Sequence, residues 1–238
     1  MLQKLKEQML SLRGSMVRAV VFALAWAIFP FWLFLPIALY LFFVPFSQIK
    51  SVIVPFLVLV LIAWAHPAGF LMAAILGLIF WYILLIKEFY IVDRRSAYEI
   101  LVVALVYFLF EAFYSAEGGG FGTGAVLVAL LAAIGTGALF SSFVNNFRED
   151  PPRNSRLRGQ VVTLTVSFLV FELLLTGLFL PLDFVYQSSV VFVLTTLLME
   201  LSSKYLFLGN LPRRRLLVVS STAFALLVLV LGSARWEL

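Results

Sequence analysis

Residues 122–158, GTGAVLVALLAAIGTGALFSSFVNNFREDPPRNSRLR, decide the fold of this chain. The first part, 122–144, is apolar and uncharged, and a hydrophilic segment with four arginines follows it. A helix of about 20 apolar residues crosses the hydrocarbon core of a bilayer, and cytoplasmic loops of membrane proteins are enriched in lysine and arginine. The stretch therefore predicts a transmembrane helix that leads into a basic cytoplasmic loop.

The lysines and arginines of the whole chain repeat this arrangement. They cluster in the hydrophilic segments 4–18, 87–95, 148–158 and 204–215. The connections around residue 66, residues 118–124 and residue 183 contain none. Alternation of basic and base-free loops is typical of a chain that crosses a bilayer repeatedly, with its basic loops in the cytoplasm.

Composition supports the same class. The chain is 63% hydrophobic and 12% charged, whereas soluble domains average roughly 45–50% apolar and about 25% charged residues. The apolar runs are continuous and leucine-rich, which favours helices over the alternating strands of a membrane β-barrel. We therefore expect an all-α, polytopic integral membrane bundle in a cytoplasmic (plasma) membrane.

The charge and the cysteine content exclude other classes. The net charge of +5 comes from bases at the ends of predicted spans, not from a contiguous basic face, so no nucleic-acid partner is expected. The chain has no cysteine, which rules out disulfides and thiolate metal sites. We expect no cofactor and no bound metal.

The apolar run from Met16 to Phe46 is too long for one span and short for two. A hairpin with its turn near Pro30 leaves every lysine and arginine except Arg235 on the cytoplasmic side, whereas one long helix leaves more of them outside. Each arm measures roughly 22 Å, less than a hydrocarbon core of roughly 30 Å, so the hairpin is short or re-entrant. The further predicted segments are 51–66, 68–86, 97–115, 122–144, 159–180, 184–201 and 215–233.

These assignments predict eight or nine apolar segments with the amino terminus inside. Residues 1–15 place leucines and Met9 at spacings of three and four between charged residues, a pattern typical of an amphipathic helix in the membrane interface. Residues 16–238 are predicted to form a single transmembrane domain.

Small residues recur every four positions in segment 122–144, at Ala125, Ala129, Ala133, Gly137 and Ser141. Small residues at this spacing let two helices approach closely. We expect this face to pack within the same chain, with dimerisation as the alternative.

Ionisable groups inside spans are candidates for function because lipid makes them costly. The sequence offers Glu172 and Glu111 within predicted spans, and Asp183 and His66 in base-free connections. On the predicted topology all four lie in the outer half or on the outer surface. We treat them as candidates for an ion, proton or polar site.

Three hypotheses account for these groups. In one, Glu172 and Glu111 bind a cation or relay protons. In another, His66 acts with a carboxylate in acid–base or metal chemistry. In the third, which the sequence favours, neighbouring hydroxyl groups hydrogen-bond each of them and the groups serve helix packing.

The function that the sequence favours is a non-catalytic subunit or scaffold of a membrane complex, because polar groups within the spans are few. A small transporter of a cation, a proton-coupled solute or a lipid, using Glu172 and Glu111, is the alternative. An intramembrane enzyme comes third, and no catalytic residue is assigned. The lipid bilayer is the expected partner, and a protein or a second copy of the chain is a candidate partner. Anionic lipid is a candidate ligand of the basic loops, with Arg213, Arg214 and Arg215 as lipid-facing anchors.

Overall fold

The structure of the protein is a computed structural model that describes residues 2–44, 49–67, 69–88, 91, 93–117, 123–147, 153–208 and 213–234. Within these ranges the chain forms nine helices and no strand. They are α1 (Leu2–Ile28), α2 (Phe31–Phe43), α3 (Ile49–Ala65), α4 (Phe70–Lys87), α5 (Arg94–Glu117), α6 (Thr123–Phe147), α7 (Arg153–Gly177), α8 (Phe184–Leu208) and α9 (Arg213–Ser233).

Six of these helices, α4 to α9, are long and apolar enough to cross a membrane. The helices α2 and α3 are apolar but shorter. The chain is therefore an all-helical protein with the helices of a multi-pass membrane protein, as its composition and charge pattern predict. The number of spans and their orientation stay predictions.

Each apolar segment predicted after residue 50 corresponds to one helix. Each of these helices extends past its predicted segment at one end at least, and α5, which begins at Arg94 and ends at Glu117, contains the whole of segment 97–115. Hydrophobicity marks the part of a helix that can sit in lipid, whereas the helix continues for as long as its backbone hydrogen bonds do.

The chain divides into two compact units, residues 1–101 and 102–238, with the boundary inside α5. In the first unit α1 is one uninterrupted helix from Leu2 to Ile28, so the amphipathic segment and the first arm of the predicted hairpin share a helix. The interfacial position of residues 1–15 and the single transmembrane domain stay predictions.

A helical hairpin opens the first unit. Helix α1 ends before Pro30, whose backbone is extended (φ −62°, ψ 152°), and α2 begins at the next residue. Proline has no N–H to continue a helix ladder, which explains the break at this position. Helix α2 then runs back along α1, because the Arg18 guanidinium (Nη1) of α1 donates to the Val44 carbonyl at the end of α2, at 2.6 Å.

Buried phenylalanines connect helices α1 to α4 of this unit. Phe22 of α1 stacks on Phe80 of α4 with ring centroids 4.2 Å apart, and Phe42 of α2 stacks on Phe56 of α3 at 4.0 Å. Phe34 of α2 meets Phe22 edge-on at 5.1 Å. Aromatic pairs add roughly 0.5–1.5 kcal/mol beyond the area they bury, so these rings are the centre of the unit.

In the second unit the most extensive contact is that between α6 and α7, and smaller contacts join α7 to α8 and α8 to α9. The part of α5 in this unit is tied to α7 by the Tyr114 hydroxyl, which donates to the Leu174 carbonyl at 2.9 Å. Helix α9 is the least covered, since only 6% of its apolar stretch from Leu216 to Ser233 is buried. Helix α7 is next, with 17% of an 18-residue apolar window within Leu157–Gly177 buried.

Candidate functional site

Arg18, Lys87 and Glu88 form a charged cluster at one end of the first unit, where α1, α2 and α4 meet. The Arg18 guanidinium pairs with the Glu88 carboxylate, whose side chain is 8% exposed. The Lys87 ammonium is fully buried, donates to the Phe42 carbonyl and lies 4.9 Å from the Phe42 ring centroid. We call these three residues the charged cluster.

The charged cluster provides hydrogen-bond donors for carbonyl groups at the end of α2. The last carbonyls of a helix have no partner within the helix, and cations are favourable beside them because of the helix dipole. Here Lys87 and Arg18 each donate to one such carbonyl, those of Phe42 and Val44. Glu88 in turn compensates part of the positive charge, so the cluster connects three helices electrostatically.

Sequence reasoning counted Arg18 and Lys87 only as loop bases on the cytoplasmic side. The structure places Lys87 inside the protein and Arg18 against two other segments. A local signal was present: Arg18 follows the apolar start at Met16, and Lys87 directly continues the apolar run of α4. A base within or next to apolar sequence requires a partner when the helix is packed.

His66 lies at the end of α3, half-buried, in the first unit. Its Nδ1 is 3.0 Å from the Ile62 carbonyl, and its backbone N–H donates to the same oxygen at 3.1 Å. This local contact fixes the ring against its own helix.

Asp183 begins α8 in the second unit and is exposed. Its Oδ1 accepts from the Phe184 backbone N–H at 2.7 Å, and its carbonyl accepts from the N–H groups of Tyr186 and Gln187 at 2.9 and 3.0 Å. The buried Gln187 side chain donates back to the Leu180 carbonyl at 2.9 Å. A carboxylate here stabilises a helix amino terminus, so Asp183 has a clear structural role.

The two glutamates predicted to lie within spans have different surroundings. Glu111 is half-buried on α5, one turn before Tyr114. Glu172 is exposed on α7, and its carboxyl group has no hydrogen-bond or ion-pair partner within the described part of the chain. The nearby threonine hydroxyls do not reach it, because Thr176 donates to the Glu172 backbone carbonyl at 2.7 Å and Thr165 to the Val161 carbonyl at 2.9 Å.

Glu172 belongs to a continuous uncovered side of α7. Its members recur at spacings of three and four and are all exposed: Val161, Thr165, Phe168, Glu172 and Thr176. We call this set the outer α7 face. The residues that pack inside the unit occupy the other side of the helix: Val166, Val170, Leu174 and Gly177.

The small residues of α6 lie on its packed side. Ala125, Ala129 and Ala133 are at most 2% exposed. A Cβ on Gly137 would overlap the Ser167 hydroxyl of α7, so glycine permits the close approach of the two helices there. Ser141 is half-buried and accepts from the Asn145 side chain at 3.3 Å.

The predicted lipid anchors lie at the start of α9. Arg214 is exposed, and the side chains of Arg213 and Arg215 lie outside the described residues. Arg158 of α7 also contacts an aromatic ring: its guanidinium carbon is 4.2 Å from the Tyr205 ring centroid of α8. This stacked arginine is a second site residue that the loop-by-loop charge count did not single out.

Among the described residues, no group of three or more His, Asp or Glu side chains is placed to hold a metal ion. Comparisons of the chain with protein-family models, with curated proteins and with solved structures found no match.

Proposed function

We propose that this protein is a non-catalytic subunit or scaffold of a membrane complex, and that it binds its partner inside the bilayer through the outer α7 face. One observation carries the proposal. Glu172 lies on that uncovered face, within a helix apolar enough to cross the membrane, and its carboxyl group has no partner within the described part of the chain.

The position of Glu172 makes exposure to lipid costly. It is five residues from Gly177, the end of the apolar part of α7, which corresponds to about 8 Å along the helix axis. A charged side chain costs roughly 2.5–3.5 kcal/mol at the centre of a spanning helix on insertion scales and less toward its ends, and intramembrane acids generally face protein or water. A partner helix with a basic or hydroxyl side chain removes that cost.

The rest of the outer α7 face suits helix docking. Its spacing of three and four residues is the pattern by which two helices pack at a shallow angle. Phe168, 60% exposed, provides apolar surface in the middle of the face. Thr165 and Thr176 are small enough to let a second helix approach.

The transporter alternative is less well supported by this geometry. A pathway through the interior requires its carboxylates on packed or water-lined sides of helices. Glu172 is on the side of α7 opposite to Val170 and Leu174, which are fully buried. The same position suits contact with a separate protein.

A photo-crosslinking residue at position 168 tests the proposal in intact cells. We expect it to capture one protein in stoichiometric amount, and the same residue at Phe224 of α9, which is 69% exposed, to capture lipid only. Glu172→Gln should weaken capture, whereas Glu99→Gln, the same change at an exposed helix start, should not. Capture of lipid alone at both positions, with no effect of Glu172→Gln, contradicts the proposal.

A further inference from the structure

A small groove lies between α7 and α8 at the end of α7 opposite to Glu172. Its volume is about 270 Å³, and it is open to the surroundings. Its walls are mainly apolar, with hydroxyl groups among them: Val162, Thr165 and Val166 of α7, and Leu198, Leu201, Ser202 and Tyr205 of α8. We call it the α7–α8 groove.

A basic side chain, that of Arg158, contacts one of the residues that line this groove, Tyr205. Arg158 is one turn before Val162, and its guanidinium stacks on the Tyr205 ring at 4.2 Å. A guanidinium that stacks on an aromatic ring directs its N–H groups outward in its own plane. There they can donate two parallel hydrogen bonds to one phosphate or carboxylate. Within the described residues, these N–H groups have no hydrogen-bond or ion-pair partner.

Two hydroxyl donors accompany the arginine. The Tyr205 and Ser202 hydroxyls both line the groove, and neither has a hydrogen-bond partner in the described ranges. Nearby, Lys204 pairs with Glu200 along α8. Because that pair compensates its own charge, Arg158 is the uncompensated charge at the groove among the side chains that the structure describes.

On the predicted spans, the groove lies at the depth of the lipid headgroups. Arg158 is at the start of the apolar part of α7, Leu157–Gly177, and Tyr205 is near the end of the apolar part of α8, Phe184–Phe207. These are the depths at which headgroups lie and at which arginine and tyrosine are enriched. The apolar walls continue from there toward the hydrocarbon core.

We propose that the α7–α8 groove binds one phospholipid of net negative charge. Arg158 binds the headgroup phosphate through its fork, the Tyr205 and Ser202 hydroxyls donate to phosphate or ester oxygens, and one acyl chain lies along the apolar walls. The occupant is a bilayer lipid because the site combines a phosphate donor set with an open apolar channel below it. This inference does not depend on the partner proposed for the outer α7 face.

Native mass spectrometry of the delipidated full chain, titrated with phosphatidylglycerol or phosphatidylcholine, tests the proposal. We expect the first phosphatidylglycerol to bind at least about tenfold more weakly to Arg158→Gln, the order of effect of a lost charge-assisted hydrogen bond. Lys50→Gln, which neutralises an exposed base on α3 outside the four basic segments, should bind it like the wild type. Phosphatidylcholine should bind weakly to all three proteins.

Two further variants separate headgroup from chain. Arg158→Lys keeps the charge but not the stacked fork, so it should recover only part of the affinity. Val162→Phe fills the groove and should weaken phosphatidylglycerol binding although Arg158 is intact. Both also provide a test if Arg158→Gln fails to fold.

Three results overturn the proposal. The first is an equal loss of affinity in Arg158→Gln and Lys50→Gln, which indicates a diffuse surface charge. The second is wild-type binding in Val162→Phe. The third is displacement of the lipid by millimolar inorganic phosphate, which indicates a phosphate site without a role for the chain.

Discussion

Arg18 and Glu88 are 70 residues apart in the chain, and their side chains form an ion pair that joins α1 to the end of α4. The pair is largely shielded from the surroundings, with side-chain exposures of 19% and 8%. Arg18 also donates to the Val44 carbonyl at 2.6 Å. One arginine thus connects three helices of the first unit.

This relationship predicts strong coupling between the two residues. Glu88→Gln leaves Arg18 and the buried Lys87 without a compensating anion, and Arg18→Met leaves the Glu88 carboxylate without its cation. In a double-mutant cycle, the double variant should be more stable than the sum of the single effects implies, by about 1–3 kcal/mol. Reversible unfolding in mixed micelles measures this coupling, and additive effects would show that the ion pair contributes nothing.

Lys87 provides the second prediction. Lys87→Met preserves the volume of the side chain but leaves the Phe42 carbonyl without its donor, so it should cost about 1–3 kcal/mol. Lys50→Met is the matched control, because Lys50 is an exposed base on α3 of the same unit. Thermal unfolding in detergent compares the two. Equal midpoints for both variants would contradict a structural role of the buried ammonium.

The helices were predictable from the sequence, but the charged cluster was not. A long apolar run specifies a membrane helix locally, since lipid leaves the backbone no other partner. The break at Pro30 was predictable only in combination with the charge pattern, because proline lacks the N–H that continues a helix, yet Pro36 and Pro55 lie inside α2 and α3. The partners of Arg18 and Lys87 depend on how the end of α2 meets α1 and α4, and the local sequence contains no such information.

The environment of the predicted site residues shows the same limit. The position of Glu172 in an apolar helix is a property of sequence alone. Which side of α7 it occupies is set by the contacts of Val170 and Leu174, and the packing direction of a helix with apolar residues all round cannot be derived from its periodicity. The hydroxyls of Thr165 and Thr176 illustrate the point, since each donates to a carbonyl of its own helix and not to the carboxyl.

Gly137 provides the third prediction. Gly137→Ala places a Cβ onto the Ser167 hydroxyl and 3.1 Å from the Ser167 Cβ, so it should destabilise the α6–α7 contact by about 1–3 kcal/mol. The double variant Gly137→Ala/Ser167→Ala should recover much of this loss, since the hydroxyl is the atom in closest conflict. Gly232→Ala is the control, because nothing lies within 4 Å of its added Cβ. Unfolding midpoints in detergent provide the comparison, and a harmless Gly137→Ala would contradict the close approach.

The start of α5 should depend on pH through Asp93. Its carboxylate accepts from the Ser96 hydroxyl at 2.7 Å and from the Ser96 backbone N–H at 3.2 Å, and these bonds lower the pKa of Asp93 below its usual value. A carboxyl group whose pKa is lower in the folded state stabilises that state at pH values above its unfolded-state pKa. This contribution is lost as the pH falls through the folded-state pKa. The first turn of α5 should therefore fray on acidification.

Hydrogen exchange at the Ser96 and Ala97 amides, corrected for the intrinsic pH dependence, measures this fraying. Protection should fall on acidification in the wild type. Asp93→Asn keeps a good amino-terminal cap without an ionisable group, so its protection should not change over the same range. The same pH dependence in both proteins would assign the fraying to another group.

The predicted orientation can be tested because the chain has no cysteine of its own. Single cysteines at Pro181, in the turn between α7 and α8, and at Ser233, the last residue of α9, should react with a membrane-impermeant maleimide in intact cells. A cysteine at Ser155, in the basic segment that begins α7, should react only after permeabilisation. The reason is that Ser155 lies among arginines, which are retained on the cytoplasmic side. Pro181 and Ser233 are predicted to lie outside.

The informative comparison is between Pro181 and Ser155, which lie at opposite ends of α7. If α7 spans the bilayer, one of them is always protected and the other always accessible, whichever way the protein is inserted. Accessibility of Ser155 from outside, with Pro181 protected, would reverse the predicted orientation and place the α7–α8 groove in the outer leaflet. Equal accessibility of both would mean that α7 does not span the membrane. The proposal for the outer α7 face would then fail as well, because it requires Glu172 to lie within the bilayer.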